Sequence, residues 1–150
     1  MGESVENVKV VYILLFDESG KRVLMVKNKG SQGSYYTLPG GRVEKGETLQ
    51  EAAIRETKEE TGIDIEIEGI IFVNEAFIEN VKQHTIFITF KGKRIGGDLV
   101  LSRPDEIEEI VWMDVGSAEK LIHIPAKLEG LFSQQILVPY FNRGEVSHKY

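Results

Sequence analysis

Three glutamates near the middle of the chain, Glu56, Glu59 and Glu60, have the residue type and the spacing to bind a divalent cation. On a helix, residues three and four positions apart are immediate neighbours. Three carboxylates held together repel one another unless a cation lies between them. Carboxylate oxygens suit the hard ions Mg²⁺ and Mn²⁺, which complete their coordination with water and phosphate oxygens. The spacing therefore predicts a magnesium site, with Mn²⁺ as a substitute.

The residues around these glutamates predict the helix that positions them. Thr48 and Glu51 form the capping-box pattern that begins a helix. Gly62 is typical of the position just after a helix ends. We therefore predict a helix over residues 49–61.

The phase of this helix places the three glutamates on or beside its apolar stripe, which is formed by Leu49, Ala52 and Ala53. With about 100° per residue, Glu56 and Glu60 fall within about 20° of Leu49. The opposite, solvent-facing side is predicted to carry Glu51, Arg55 and Lys58. Three carboxylates near a buried stripe require a compensating cation. The alternative, a glutamate-rich helix that simply exposes a solvated face, remains open from the sequence.

The composition is that of an ordinary globular protein with an acidic surface. The 150 residues suit a single domain spanning 1–150. A net charge of −6 argues against a surface for nucleic acid. The absence of cysteine excludes disulfides, thiolate nucleophiles and cysteine-based zinc sites. No stretch approaches the roughly 20 apolar residues of a membrane span, and MGESVENVKV lacks the pattern of a secretory signal, so we expect a cytoplasmic location without membrane partners.

Strands are predicted before and after this helix. An apolar run predicts a strand buried on both faces over residues 8–16, and residues 22–27 are expected to return from the turn at 17–20 as a hairpin. One or two strands are predicted over residues 63–78, and further strands are predicted over 83–91, 98–101 and 107–113. Ser117 is expected to cap a short helix, followed by another over 126–137. The fold class predicted is α+β, a mixed sheet flanked by helices in an α/β/α sandwich.

Residues 41–63 resemble the Nudix box. Gly41 is followed after five residues by Glu47, and after seven more by the run RETKEETGI. Every charged and glycine position of the box matches. Thr57 departs from the aliphatic preference of its position, and we interpret this change as packing rather than chemistry. The preceding residues 36–40 also look like the usual lead-in to the box.

The resemblance implies a Nudix fold, in which a mixed sheet flanked by helices holds a loop-helix-loop metal site. The metal ligands that it implies are Glu56, Glu59, Glu60 and the carbonyl of Gly40. The structural positions that it implies are Gly41, Glu47, Arg55 and Gly62. Gly41 would let the backbone approach the cation because it has no Cβ, and Arg55 would bridge to Glu47.

Members of the family often recruit a further acid from a later loop. Glu106, six residues before Trp112, is the first choice, and Glu108 and Glu109 are weaker candidates. An ordinary loop acid at Glu106 remains an open alternative.

The activity implied by the resemblance is Mg²⁺-dependent hydrolysis of a phosphoanhydride bond in a nucleoside diphosphate linked to another moiety. Glu60 or Glu56 is expected to help deprotonate the attacking water. The expected substrate contacts are Arg42, Lys27 and Tyr36. Tyr35, Tyr36, Phe72 and Phe87 could supply a stacking surface for a base. A solvated loop arginine and ordinary core aromatics remain the alternatives for these residues.

Subfamily markers beyond the box are missing, which narrows the substrate by elimination. The proline typical of ADP-ribose hydrolases of the family is missing, since none occurs between Pro39 and Pro104. The tyrosine typical of its dinucleoside polyphosphate hydrolases is also missing, since none occurs between Tyr36 and Tyr140. A nucleoside triphosphate or a small nucleoside diphosphate conjugate is left as the small-molecule partner. The alternative function is a non-catalytic Nudix-fold nucleotide-binding or regulatory module, although the box is intact. An isomerase of this fold would need a cysteine. A homodimer is expected from family habit.

Overall fold

Two sheets and two α-helices make up the computed structural model, which describes residues 4–148. The strands are β1 (Glu6–Leu14), β2 (Arg22–Asn28), β3 (Tyr35–Thr37), β4 (Gly40–Arg42), β5 (Ile63–Ile78), β6 (Gln83–Gly97) and β7 (Ile107–Asp114). The helices are α1 (Leu49–Thr61) and α2 (Val115–Leu121). Neither of these helices, nor any other within residues 4–148, has the length and apolar character needed to cross a membrane.

The first sheet is mixed, with its strands in the order β4-β1-β6-β5. β1 runs parallel to β6, from Glu6 opposite Gln83 to Leu14 opposite Lys91, while β4 and β5 add antiparallel at the two edges. The second sheet is antiparallel, in the order β3-β2-β7. The prediction of an α+β fold with a mixed sheet is thus confirmed.

Alternate residues of β1 face opposite sides of the sheet, and each side has its own buried cluster. Val11 and Ile13 belong to a cluster that includes Ala53 of α1. Leu14 belongs to a second cluster, which includes Ala118 of α2. The sheets therefore lie between the two helices, as predicted for an α/β/α sandwich.

Helix α1 has the predicted bounds because both of its ends are encoded locally. The Thr48 hydroxyl accepts a hydrogen bond from the Glu51 amide at 3.1 Å, and the Glu51 carboxylate accepts one from the Thr48 amide at 3.2 Å. Gly62 ends the helix in the left-handed conformation, with φ +81°, and donates to the Lys58 carbonyl at 2.9 Å. The capping box and the glycine stop are confirmed.

The expected hairpin between the first two strands is paired only next to its turn. Leu24 donates to the carbonyl of Leu15, and Phe16 and Val23 form an isolated bridge. Beyond these contacts the chain changes sheets, since β1 pairs with β4 and β6 whereas β2 pairs with β3 and β7.

Three local predictions were wrong. Residues 98–101 form no strand, because Gly97 turns the chain at φ +82° and ends β6. Asp114, not Ser117, caps α2; Ser117 is the third helical residue, and its amide donates to Asp114 Oδ1 at 3.0 Å. The helix predicted over 126–137 is replaced by two short 3₁₀ turns, since Gly130 interrupts it at φ +88°.

Gly62 should tolerate a side chain less well than another glycine with the same backbone conformation. In Gly62→Ala the added Cβ would overlap the Asp98 carbonyl oxygen, whereas in Gly46→Ala, at φ +83°, nothing lies within 4 Å of it. We expect Gly46→Ala to lower the free energy of unfolding by about 1 kcal/mol through left-handed strain alone. Gly62→Ala should cost about 1 to 3 kcal/mol more. Urea denaturation of both variants measures the difference, and equal losses would contradict the close packing of residues 97–100 on the end of α1.

Candidate active site

Helix α1 turns two of its glutamates toward the protein interior. Glu56 is 8% exposed and Glu60 is 7% exposed, beside the fully buried Ala52 and Ala53. Glu59 lies at the edge of this surface and is half-buried. The alternative of a solvated face is therefore excluded for Glu56 and Glu60. Thr57, at the position that departs from the box, is fully buried, and its hydroxyl donates to the Ala53 carbonyl at 2.8 Å.

The two glycines of β4 make close contacts with the buried carboxylates. The amide of Gly40 donates to Glu60 Oε1 at 2.8 Å. A Cβ on Gly41 would lie 2.7 Å from the carboxyl carbon of Glu56. Gly41 thus leaves the space that the Glu56 carboxylate occupies. The role of the Gly40 carbonyl as a metal ligand stays a prediction.

Arg55 lies over the helix rather than on its solvent face, where the helical phase had placed it. Its guanidinium makes a bidentate contact with Glu47, at 2.6 and 2.9 Å. The same side chain donates to Glu56 Oε1 at 2.9 Å and to Glu59 Oε2 at 3.2 Å. The long arginine stem allows this return from an outward Cα position. Arg55 consequently joins the loop before α1 to the carboxylates on it.

A second guanidinium, which the sequence analysis missed, reaches the same carboxylates from a later loop. Arg103 forms a short ion pair with Glu59 through Nη2, and its Nη1 lies 3.6 Å from Glu56 Oε2. The same nitrogen lies 3.5 Å from Glu106 Oε2. The sequence carried one signal for this arginine, which is its position three residues before Glu106. A loop that brings Glu106 to the cluster would bring Arg103 close to it as well.

The later-loop acids separate into two places. Glu106 stands beside the cluster through its contact with Arg103. Glu108 instead pairs with Lys27 at 3.6 Å, and Glu109 accepts a long hydrogen bond from the Tyr36 hydroxyl at 3.5 Å. Of the three candidates, Glu106 alone shares a partner with the α1 glutamates among residues 4–148.

The two basic side chains that are expected to contact the substrate, Arg42 and Lys27, form ion pairs with acids outside the cluster. Arg42 contacts Glu6 at 2.5 Å on the protein surface. Lys27 lies 3.6 Å from Glu108 and 5.8 Å from the centre of the Tyr36 ring. Among residues 4–148, neither side chain forms an ion pair with the α1 glutamates, and their contact with the substrate stays a prediction.

Burial makes the two interior carboxyls hard to ionise. The pKa of Glu60 is raised from 4.5 to about 8, chiefly by burial and also by the charge of Glu56, against the hydrogen bond from Gly40. Burial also raises the pKa of Glu56, against the hydrogen bond and charge of Arg55. The hydrogen bond from Arg55 lowers the pKa of Glu47. The cluster therefore favours any added positive charge.

An aromatic cavity of about 540 Å³ is lined in part by Tyr12, which lies against Gly40. Its lining includes Tyr35, Tyr36, Phe72 and Phe87, the four residues considered for base stacking. Tyr12 also lines it and stacks on Phe87, with ring centres 6.1 Å apart. Burial and the charges of Tyr35 and Glu60 raise the pKa of Tyr12 to about 12. Tyr12 therefore connects the aromatic cavity to the carboxylate cluster.

The sequence model of the NUDIX domain matches residues 6–132, which include both the cluster and all the described residues that line the cavity. This chain belongs to the Nudix family. The residues that resemble the Nudix box are therefore the box of a family member, and α1 is its helix.

Named Nudix relatives resemble the chain over about two thirds of its length. An ADP-ribose pyrophosphatase of Methanocaldococcus jannaschii is 34% identical over 69% of this chain and 61% of its own. An RNA pyrophosphohydrolase of Wolbachia pipientis is 32% identical over 64% of this chain and 57% of its own. The chain thus spans about 60% of the length of these relatives.

Solved structures show the same fold. The MutT protein from Methanosarcina mazei is 27% identical, with a TM-score of 0.69 over 88% of this chain and 94% of its own. A Nudix hydrolase from Nitrosomonas europaea reaches a TM-score of 0.76 at 17% identity, over 93% of this chain and all of its own. At that identity the likeness concerns the fold alone.

The side chains of the Nudix box suit a divalent cation in their chemistry. Within residues 4–148 no three acidic or histidine groups are spaced to close around a metal ion as they stand. The guanidinium groups of Arg55 and Arg103 lie among the carboxylates and provide the positive charge. A hard cation fits this oxygen donor set, provided that a guanidinium gives way to it.

The metal-free protein should lose stability as the pH rises through the range in which Glu60 ionises. Its folded pKa of about 8 lies above the ordinary 4.5, so the folded state binds more protons and stability falls between these values. In EDTA, Glu60→Gln should therefore melt above the wild type at pH 8.5, and this advantage should shrink at pH 5.

Thermal unfolding followed by circular dichroism across pH 5 to 9 measures the effect. Glu66→Gln, on the exposed side of β5, is the control for removal of one negative charge. A difference between Glu60→Gln and the wild type that does not change with pH would contradict the burial of the Glu60 carboxylate.

Proposed function

We propose that this chain is a Mg²⁺-dependent hydrolase that cleaves a phosphoanhydride bond in a nucleoside diphosphate derivative. The observation that carries the proposal is the buried pair Glu56 and Glu60, grouped with Glu59 and Glu106 beside an aromatic cavity. Family membership, and relatives named as pyrophosphatase and pyrophosphohydrolase, support a reaction of this type.

The carboxylates of Glu56, Glu59 and Glu60 would hold the cation, with the Gly40 carbonyl and Glu106 as further ligands. A Mg²⁺ ion held there would supply positive charge for the phosphate oxygens and would acidify water. Glu60 or Glu56 accepts the proton of the water that attacks phosphorus in line. Without the cation, burial raises the pKa of both carboxyls, and a bound cation would favour their ionised, proton-accepting form.

The other positions of the box would maintain this geometry. Arg55 ties Glu47 of the preceding loop to Glu56 on the helix. Gly41 leaves room for the Glu56 carboxylate, and Gly62 ends α1 where the chain must turn. Their proposed contribution is to position the ligands rather than to touch the substrate.

The cavity supports a nucleobase as the recognised group. None of the described residues that line it is Lys, Arg, Asp or Glu, while Tyr12, Tyr36, Phe72 and Phe87 present aromatic rings. Stacking on such rings suits a flat, uncharged base. The phosphates of a nucleotide held there would extend toward Glu60 past Tyr12. Both a nucleoside triphosphate and a diphosphate conjugate satisfy this geometry, and the ADP-ribose pyrophosphatase relative supports the conjugate.

Neutralising a single ligand should abolish most of the activity. We expect Glu59→Gln and Glu60→Gln each to reduce kcat by about a hundredfold or more, since each removes a metal-binding charge without changing side-chain shape. Circular dichroism should show both variants folded. The assay is hydrolysis of a panel of nucleoside triphosphates and diphosphate conjugates with Mg²⁺ or Mn²⁺.

Separate detection of the products identifies the bond that is cleaved. Pyrophosphate release would indicate a triphosphate substrate, and two monophosphates would indicate a diphosphate conjugate. Glu66→Gln is the matched control and should retain wild-type turnover. Near-normal activity in Glu59→Gln or Glu60→Gln would overturn the metal assignment, while nucleotide binding without turnover in the wild type would favour a non-catalytic binding module.

Removing one wall of the cavity should weaken substrate binding more than it slows the reaction. Phe87→Ala deletes a ring that stacks on Tyr12, and loss of one base-stacking ring costs about 1 to 3 kcal/mol. We therefore expect KM for the best nucleotide to rise about fivefold to a hundredfold. Phe77→Ala, which removes an exposed ring stacked on His84 outside the cavity, should leave KM unchanged. An unchanged KM in Phe87→Ala would place the base elsewhere.

A further inference from the structure

We propose that Arg103 is a built-in counter-ion that competes with the divalent cation for Glu56 and Glu59. This inference rests on the proposed function, because it presupposes that these glutamates bind a metal. It assigns to the loop before β7 control over how tightly the active site binds its cation.

The contacts of Arg103 coincide with the proposed metal ligands. Its guanidinium pairs with Glu59 through Nη2, and its Nη1 lies 3.6 Å from Glu56 and 3.5 Å from Glu106. Within residues 4–148, every hydrogen bond and ion pair of the Arg103 side chain is with one of these three acids. The guanidinium thus occupies the place where a cation would gather the same oxygens.

The other arginine in the cluster is held differently. Arg55 makes two hydrogen bonds to Glu47 and a third to the Arg42 carbonyl, so much of its guanidinium is committed to the loop before α1. Arg103 has no comparable partner outside the acidic cluster among the described residues. Of the two guanidinium groups, Arg103 is therefore the one that a cation would displace.

Backbone hydrogen bonds hold the loop around Arg103 in place, whereas the Arg103 side chain can move away from the acidic cluster. Val100 donates to the Thr61 carbonyl at 2.9 Å, and Lys29 donates to the Glu106 carbonyl at 2.8 Å. The Arg103 carbonyl accepts hydrogen bonds from Glu106 and Ile107 at 3.0 and 2.8 Å. The side chain is 32% exposed, so a rotation about its own bonds moves the guanidinium into solvent without any change in the backbone.

The competition follows from the chemistry of the oxygens. A carboxylate oxygen that accepts a charge-assisted hydrogen bond from arginine has one lone pair fewer for a cation, and the guanidinium charge repels a cation that approaches the same oxygens. With Arg103 removed, Arg55 is the one guanidinium or ammonium group of the described residues that still pairs with Glu56 and Glu59. Their affinity for a cation should then rise, and the metal-free protein should become less stable because the acids repel one another.

The test is Mn²⁺ binding without nucleotide, measured on the full chain from the electron paramagnetic resonance signal of free Mn²⁺. We expect Arg103→Gln to bind Mn²⁺ about fivefold more tightly than Arg94→Gln. Arg94 is exposed and contacts the Gly97 carbonyl, so its replacement controls for the general loss of one positive charge. Arg103→Lys, a single-point charge on a flexible stem, should lie between the wild type and Arg103→Gln.

Melting temperatures give a second readout. In EDTA, Arg103→Gln should melt below Arg94→Gln, and saturating Mn²⁺ should raise its melting temperature by more than it raises that of the control. If Arg103→Gln binds Mn²⁺ no more tightly than Arg94→Gln does, the competition is refuted while the metal site stands. If the wild type binds no Mn²⁺, or Glu59→Gln binds it as well as the wild type does, both the competition and the proposed function fall.

Discussion

Burial of negative charge on one helix is the constraint on which the rest of this structure depends. Glu56 and Glu60 are less than a tenth exposed, and they lie one helical turn apart on the face that packs against the sheet. An unpaired buried carboxylate is costly, and two neighbouring ones add mutual repulsion. Three groups compensate these carboxylates with a hydrogen bond or a positive charge: the amide of Gly40, the guanidinium of Arg55 and the guanidinium of Arg103. The first comes from β4, the second from α1 itself and the third from the loop before β7.

Several features that look unrelated along the chain serve this one arrangement. β4 is only three residues long, yet its pairing with β1 brings the glycines Gly40 and Gly41 against the carboxylates. Gly62 ends α1 and allows the loop after β6 to pack on the end of the helix, close to where that loop delivers Arg103. On β1, Tyr12 consequently lies both next to Gly40 of the cluster and in the lining of the aromatic cavity.

The sequence was most informative where structure is local. The bounds of α1, its capping box and the inward phase of Glu56 and Glu60 follow from residues within one or two helical turns. The division of the strands into two sheets did not follow, because the choice of partner for β2 depends on β7, some eighty residues later along the chain. The role of Arg103 was not predicted either, because its contacts with Glu56 and Glu59 also join residues that are distant in the chain. Arg42 and Lys27 pair with acids distant in the chain, Glu6 and Glu108, and their contact with the substrate stays a prediction.

The central claim is that a divalent cation binds the acidic cluster on α1, and anomalous diffraction from Mn²⁺-soaked crystals tests it most directly. The account predicts an anomalous peak about 2.0–2.2 Å from carboxylate oxygens of Glu56, Glu59 and Glu60, with the Arg103 guanidinium turned away from Glu59. A cluster without a peak at saturating Mn²⁺, with Arg103 still paired to Glu59, would contradict it.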